Sequence, residues 1–149
     1  METLLTVVLY AVLFCYIASA LLFLGGSKYA NNMAVKAALI LAVLGCIMHL
    51  AILVMRTGLT GMLPLTNGLE FMLSFTWITV LLFLLMQTRY PIQSAAGIVM
   101  LISASLLSLV AILMKGQLSS VAPLMPALKS PWLTVHVVIL PLLWPPDWL

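Results

Sequence analysis

Four long apolar runs, each closed by a short polar break, set out the plan of this chain. Leu4 to Leu24 carries no charge and holds about 20 residues, the length at which a helix crosses a hydrocarbon core. Gly25-Gly26-Ser27 is expected to end it, with Lys28, Asn31, Asn32 and Lys36 forming a polar loop. Ala37 to Met55 makes a second span, carrying His49 and stopped by Arg56. A third starts near Asn67 and runs through Met86 to the short turn Gln87-Thr88-Arg89-Tyr90-Pro91. Ile92 to Met114 is the fourth; its Ser103, Ser105 and Ser108 can bond the preceding helical turn or a neighbouring helix. Residues 116–130, with Pro123 and Pro126, read as a loop. A fifth apolar segment begins at Pro131, but about 13 residues precede the break at Pro145-Pro146, short of the ~17 a span needs. The pattern predicts an all-α polytopic transmembrane helical bundle forming a single membrane domain over 1–149. Its four full spans lie at about 4–24, 37–55, 68–86 and 92–114, followed by an incomplete fifth helix over 131–143.

Composition agrees with an integral membrane protein. Of 149 residues, 65% are hydrophobic and 6% charged, against about 25% charged in soluble domains. Six Lys+Arg and three Asp+Glu give a net charge of +3, a few loop residues rather than a nucleic-acid-binding surface. Cys15 and Cys46 fall inside apolar runs with no His or Cys at ligand spacing, so they read as small core residues and not as a disulfide or zinc site. The triplet Ala18-Ser19-Ala20 imitates a signal-peptide cleavage site, yet no cation precedes the first run and Glu2 stands where a positive region belongs. The run is therefore expected to be retained, and the absence of a leading cation favours an N-terminus outside. Loop cations do not decide the orientation: Lys28, Lys36 and Arg89 fall on one side, and Arg56, Lys115 and Lys129 on the other.

Between the second and third spans lies a polar island, Pro64-Leu65-Thr66-Asn67-Gly68-Leu69-Glu70-Phe71, with the only acidic side chain between residues 2 and 147. Asn67 followed three residues later by Glu70 resembles a capping box, in which each side chain satisfies an orphan backbone N–H at the start of a helix. A carboxylate there is also favoured by the helix dipole. His49 and Arg56 lie seven residues apart and share a helix face. For His49 the open readings are a place on a ligand or proton pathway, or a core histidine satisfied by a serine or carbonyl of the next helix. For Arg56 they are an ion pair with Glu70, an anionic ligand group, or a side chain that snorkels to the surface.

These residues resemble the CcsA (ResC) branch of the cytochrome c assembly family, of the system II cytochrome c biogenesis pathway. That family places a His in an early transmembrane helix, then an Arg, a Gly and a segment P-L-[ST]-N-x-[YF]-E-[SF] leading into a helix with Ser and Trp. Here these read His49, Arg56, Gly61, Pro64 to Phe71, Ser74 and Trp77, with Leu69 where an aromatic is usual. A second family motif, P-A-L-x-S-x-W-L-x-x-H-V, is matched by Pro126 to Val137, including Trp132 and His136.

The resemblance implies a haem-handling membrane protein whose external face presents haem to the CxxCH cysteines of apocytochrome c, alongside a ResB/CcsB-type membrane partner. It implies His136 as an axial ligand to haem iron, with Trp132 and His49 as further cofactor-binding residues. Glu70, Asn67, Arg56 and Pro64 would organise the external loop. An interfacial His136 bonded to a backbone carbonyl is the alternative for that residue. The implied location is a bacterial cell or thylakoid membrane with the working face external or lumenal, and no nucleic-acid partner is expected. No nucleophile–base set or metal-ligand cluster suggests a conventional catalytic site; the family contributes to haem attachment as part of a cytochrome c synthase complex.

The family continues past the W-L-x-x-H helix into a segment W-G-x-x-W-x-W-D, which Trp144, Asp147 and Trp148 do not reproduce. A truncated or frameshifted product is the simplest expectation, and a short homologue would need a partner to complete a haem site. Two other classes stay open. In a small transporter Glu70 would couple to a proton or cation; a structural accessory subunit would pack through its Gly, Ala and Ser faces.

Overall fold

The computed structural model describes residues 2–29, 32–61, 67–90 and 93–114. Four helices account for nearly all of them: α1 (Glu2–Lys28), α2 (Asn32–Thr60), α3 (Gly68–Arg89) and α4 (Gln93–Leu109), the last closing in a π-helical turn over Val110–Met114. There is no strand among the described residues. All four helices are long and apolar enough to cross a membrane, the build of an integral membrane protein. Pro64 and the segment from residue 115 onward, with the expected fifth helix, Trp132 and His136, lie outside the described residues.

The helices form an up-down-up-down bundle in which α1 packs on α2 and α4, and α3 closes the ring against α2 and α4. Sequence dictates what each face does. α1 and α3 are apolar almost all round, so their outward positions hold large hydrophobes such as Phe14, Leu21, Phe71, Phe75 and Leu82. The interior takes Leu5, Leu9, Val12, Ala20, Ala38, Ala42, Leu73, Ala96 and Ala104. Small residues matter here because lipid is as apolar as leucine, and helix association relies on close packing rather than on hydrophobic exclusion. At the base of the core the Phe23 and Phe83 rings meet edge to face, centroids 5.9 Å apart.

Two helices run further than the sequence pattern suggests. Gly25-Gly26-Ser27 does not end α1, because Gly26 serves as a packing position: a Cβ there would lie 2.9 Å from Val35 Cγ2 of α2. Lys36 is likewise inside α2, not in a loop, since that helix starts at Asn32. Arg56 does not stop α2, which continues to Thr60 and ends on Gly61 in the left-handed conformation (φ 66°), its N–H bonded to the Thr57 carbonyl at 2.9 Å. The hydroxyls of Ser103, Ser105 and Ser108 donate to the carbonyls four residues back, Val99, Leu101 and Ala104, which hides them from lipid within their own helix.

One end of the bundle carries exposed Lys28, Lys36 and Arg89, with exposed Tyr29 and Tyr90 beside them. The Lys28 ammonium sits 5.5 Å from the Tyr29 ring centroid. Cations with tyrosines at one level mark a membrane–water interface. The opposite end is formed by the start of α1, the end of α2, the start of α3 and the π-helical turn.

Candidate functional site

Two polar foci break the apolar interior, and both hang from α2. The first is at the end away from the exposed cations. Asn67, in an extended conformation (φ −142°, ψ 170°), caps α3: its Oδ1 accepts from the Glu70 N–H at 2.8 Å. This cap turns the Glu70 side chain inward, where its Oε1 accepts from Arg56 Nη2 at 2.9 Å. Both side chains are sealed, at 1% and 0% exposure. Arg56 therefore does not snorkel, and it is the largest fully buried side chain among the described residues. A lone guanidinium or carboxylate would be costly at this depth; each makes the other tolerable. Glu70 lies in the first turn of α3, not at its middle.

The second focus lies two helical turns deeper, roughly 10 Å along α2 at 1.5 Å per residue. His49 is fully buried, and its Nδ1 is hydrogen-bonded to the Tyr16 hydroxyl of α1 at 3.1 Å, the rings tilted 54° with centroids 5.9 Å apart. The partner is thus a tyrosine of the preceding helix and not a serine or carbonyl of the next one. The other ring nitrogen, Nε2, is buried without a hydrogen-bond partner.

Room for the tyrosine comes from Gly45, one turn before His49. A Cβ on Gly45 would stand 2.7 Å from Tyr16 Cε1 and 3.1 Å from the Cys15 Cβ, so only glycine lets that edge of the ring come this close to α2. From α3, Trp77 Nε1 donates to the Cys46 carbonyl at 3.1 Å. Ser19 Oγ donates to the Ala38 carbonyl at 2.8 Å, a second polar tie between α1 and α2. Tyr16 and Trp77 thus tie α1 and α3 to α2 within one turn of His49.

The structure brings Arg56, Asn67 and Glu70 together and leaves His49 apart from them, on the same helix as Arg56. Pro64, Trp132 and His136 lie outside the described residues. No group of three or more His, Cys, Asp and Glu side chains suited to a metal ion occurs among the described residues, and Cys15 and Cys46 are free thiols. Tyr16 and Gly45 are the residues that motif reading missed. A tyrosine mid-span is a signal in itself, because its hydroxyl needs a partner in lipid; a glycine one turn from a histidine adds to it.

No family model matches the chain, and no solved structure matches it. Curated relatives do. Cytochrome c biogenesis protein CcsA of Synechococcus sp. (strain CC9902) is 31% identical over 88 residues, 59% of this chain and 29% of the relative. CcsA of Parasynechococcus marenigrum (strain WH8102) is 31% identical over the same shares. CcsA of Guillardia theta is 31% identical over 98 residues, 66% of this chain and 33% of the relative. The matched stretch thus spans about a third of the length of these relatives. With a bundle of four membrane-length helices and this set of relatives, the chain is a partial match to the CcsA-type cytochrome c biogenesis family.

Proposed function

We propose that this chain acts in cytochrome c biogenesis by handling haem on its way to apocytochrome c. The similarity to CcsA supports the pathway. The observation that carries the haem assignment is Nε2 of His49, a ring nitrogen buried without a partner in the core of the bundle. As a donor it fits: a neutral imidazole nitrogen is a common axial ligand to haem iron, and an orphaned polar atom in a membrane core calls for an occupant. Access sets a condition, since Nε2 has no exposed surface and a macrocycle reaches it only if the surrounding helices part. Bound haem would supply a redox-active iron and the vinyl carbons to which cytochrome cysteines become joined.

The chain's own residues divide the work. His49 is the internal donor and His136 the external one, with Trp132 four residues before His136 as an aromatic wall. Arg56, Glu70 and Asn67 pin the start of α3 to the end of α2, and so fix both ends of the connection that contains Pro64. A ResB/CcsB-type membrane protein is the partner that fits this role, and apocytochrome c the acceptor. We infer that the Lys28, Lys36 and Arg89 end lies on the cytoplasmic or stromal side: with Arg56 buried, it offers three cations to headgroups against Lys115 and Lys129, which the sequence puts on the other side. The working face would then be external or lumenal.

The test is to purify the full chain in detergent after co-expression with a ResB/CcsB-type partner and read its absorption spectrum. A Soret band that weakens in both His49→Ala and His136→Ala is expected. Absence of the band, or a band indifferent to both substitutions, refutes the haem reading.

A further inference from the structure

We propose that Tyr16 is the positioning residue of His49: its hydroxyl, able to donate or accept, holds Nδ1, favours the Nε2–H form when nothing lies beside Nε2, and still permits the form with a free Nε2 lone pair. The part of this that concerns haem iron rests on the function proposed above; the part that concerns the histidine ring does not.

The argument is a count of hydrogen-bonding groups. The Tyr16 hydroxyl and His49 Nδ1 are 3.1 Å apart, and the structure gives the hydroxyl no second partner among the described residues. Two arrangements satisfy that distance. If Tyr16 donates, Nδ1 accepts and the ring proton sits on Nε2, leaving one orphan, the Nε2–H. If Nδ1–H donates instead, both the phenolic hydrogen and the Nε2 lone pair are left unmatched. Each orphan inside an apolar core is costly, so the first arrangement prevails when nothing is bound beside Nε2. The second prevails once an electron-pair acceptor such as haem iron lies there, since it needs the lone pair. Passing from one to the other takes the proton off Nε2 and puts one on Nδ1, with water admitted as the helices part to receive the first and supply the second, and turns the hydroxyl about its C–O bond. The pair's proton count is the same before and after.

Three features suit the residue to this work. A serine or backbone carbonyl in its place would sit at the end of no rigid arm, whereas the tyrosine ring is clamped on Gly45, where a Cβ would meet it at 2.7 Å. Tyr16 is fully buried, so water does not compete for Nδ1. A carbonyl, moreover, could only accept and would lock one tautomer; a hydroxyl permits both.

The experiment compares wild type, Tyr16→Phe and His49→Ala as full chains in detergent. Histidine 15N spectra, each recorded with His136→Gln to isolate His49, read the tautomer without any ligand. We expect one dominant Nε2–H form in wild type and a change in the tautomer ratio of roughly tenfold in Tyr16→Phe, the size of one lost hydrogen bond. A ratio within about twofold of wild type, in a variant whose helicity and elution are unchanged, overturns the proposal. Haemin titration follows on the same proteins. Tyr16→Phe should weaken binding by about 10- to 100-fold, as loss of a partner behind a metal-bound histidine does, and shift the Soret maximum. If His49→Ala weakens haemin binding and Tyr16→Phe leaves it untouched, the positioning role is overturned while the haem reading stands. If the tautomer ratio responds to Tyr16→Phe but His49→Ala leaves haemin binding unchanged, the haem reading of His49 fails and Tyr16 keeps its role toward the ring.

Discussion

Replacing Glu70 with glutamine removes one charge from the bundle and almost nothing else. The side chain keeps its volume, and the cap survives, because Asn67 accepts from the Glu70 backbone N–H and not from its carboxylate. What changes is the environment of Arg56, whose Nη2 loses an anionic partner at 2.9 Å while 1% exposed. Coulomb's law at that distance and an effective dielectric of about 20 gives an attraction of about 6 kcal/mol before desolvation of either ion is counted. The relevant loss is that of stranding the surviving charge, about 3–5 kcal/mol for a buried pair. The assay is reversible unfolding in mixed detergent micelles, followed by helicity, on Glu70→Gln, Arg56→Met and the double variant. Each single change should cost about 3 kcal/mol or more, and the double variant well under the sum, since the two sites share one interaction. Raising salt to about 0.5 M should leave wild type unchanged, as screening acts on exposed pairs. Asn67→Ala supplies the scale of the cap alone, about 1 kcal/mol. Single variants costing below about 1 kcal/mol, or strict additivity, would mean that water reaches the pair, and the account of this end of the bundle would fall.

Two further outcomes are expected. Gly45→Ala should push the Tyr16 ring off α2, costing about 1–3 kcal/mol as overpacking does and giving the same tautomer change at His49 as Tyr16→Phe; a stable variant with an unaltered histidine spectrum would contradict the close approach. In a background lacking Cys15 and Cys46, a cysteine at Lys36 should react with a membrane-impermeant thiol reagent only after the membrane is opened, and one at Gly61 in intact cells. The reverse pattern would invert the proposed orientation.

The number and order of the membrane helices were legible because a bilayer demands about 20 apolar residues, and four runs supply them. Their ends were not. Gly25 and Gly26 read as helix breakers and Arg56 as a charge that ends a membrane span, but Gly26 is needed for contact with Val35, and Arg56 is carried inward by Glu70. Asn67 and Glu70 could be placed at a helix start because capping is local, written within four residues. The Tyr16–His49 bond joins positions 33 apart in sequence. It depends on the register of α1 against α2, and no local pattern encodes that. Where a proton-coupling carboxylate would belong mid-helix, Glu70 sits in a first turn and faces an arginine, a placement visible from spacing but whose burial was not.

A helix coated with leucine on every side has no preferred direction to face. In this bundle polar links between helices make the choice, among them Arg56 to Glu70, Tyr16 to His49, Trp77 to the Cys46 carbonyl, and Ser19 to the Ala38 carbonyl. Turning α2 by one residue, 100° about its axis, would carry both its histidine and its arginine away from their partners and toward lipid. The links thus act as teeth of a key, setting the rotation of α1, α2 and α3 against one another while leaving their outer surfaces unconstrained. The lipid-facing residues are then free to exchange one hydrophobe for another, and the handful of polar positions inside carries the memory of how the helices face.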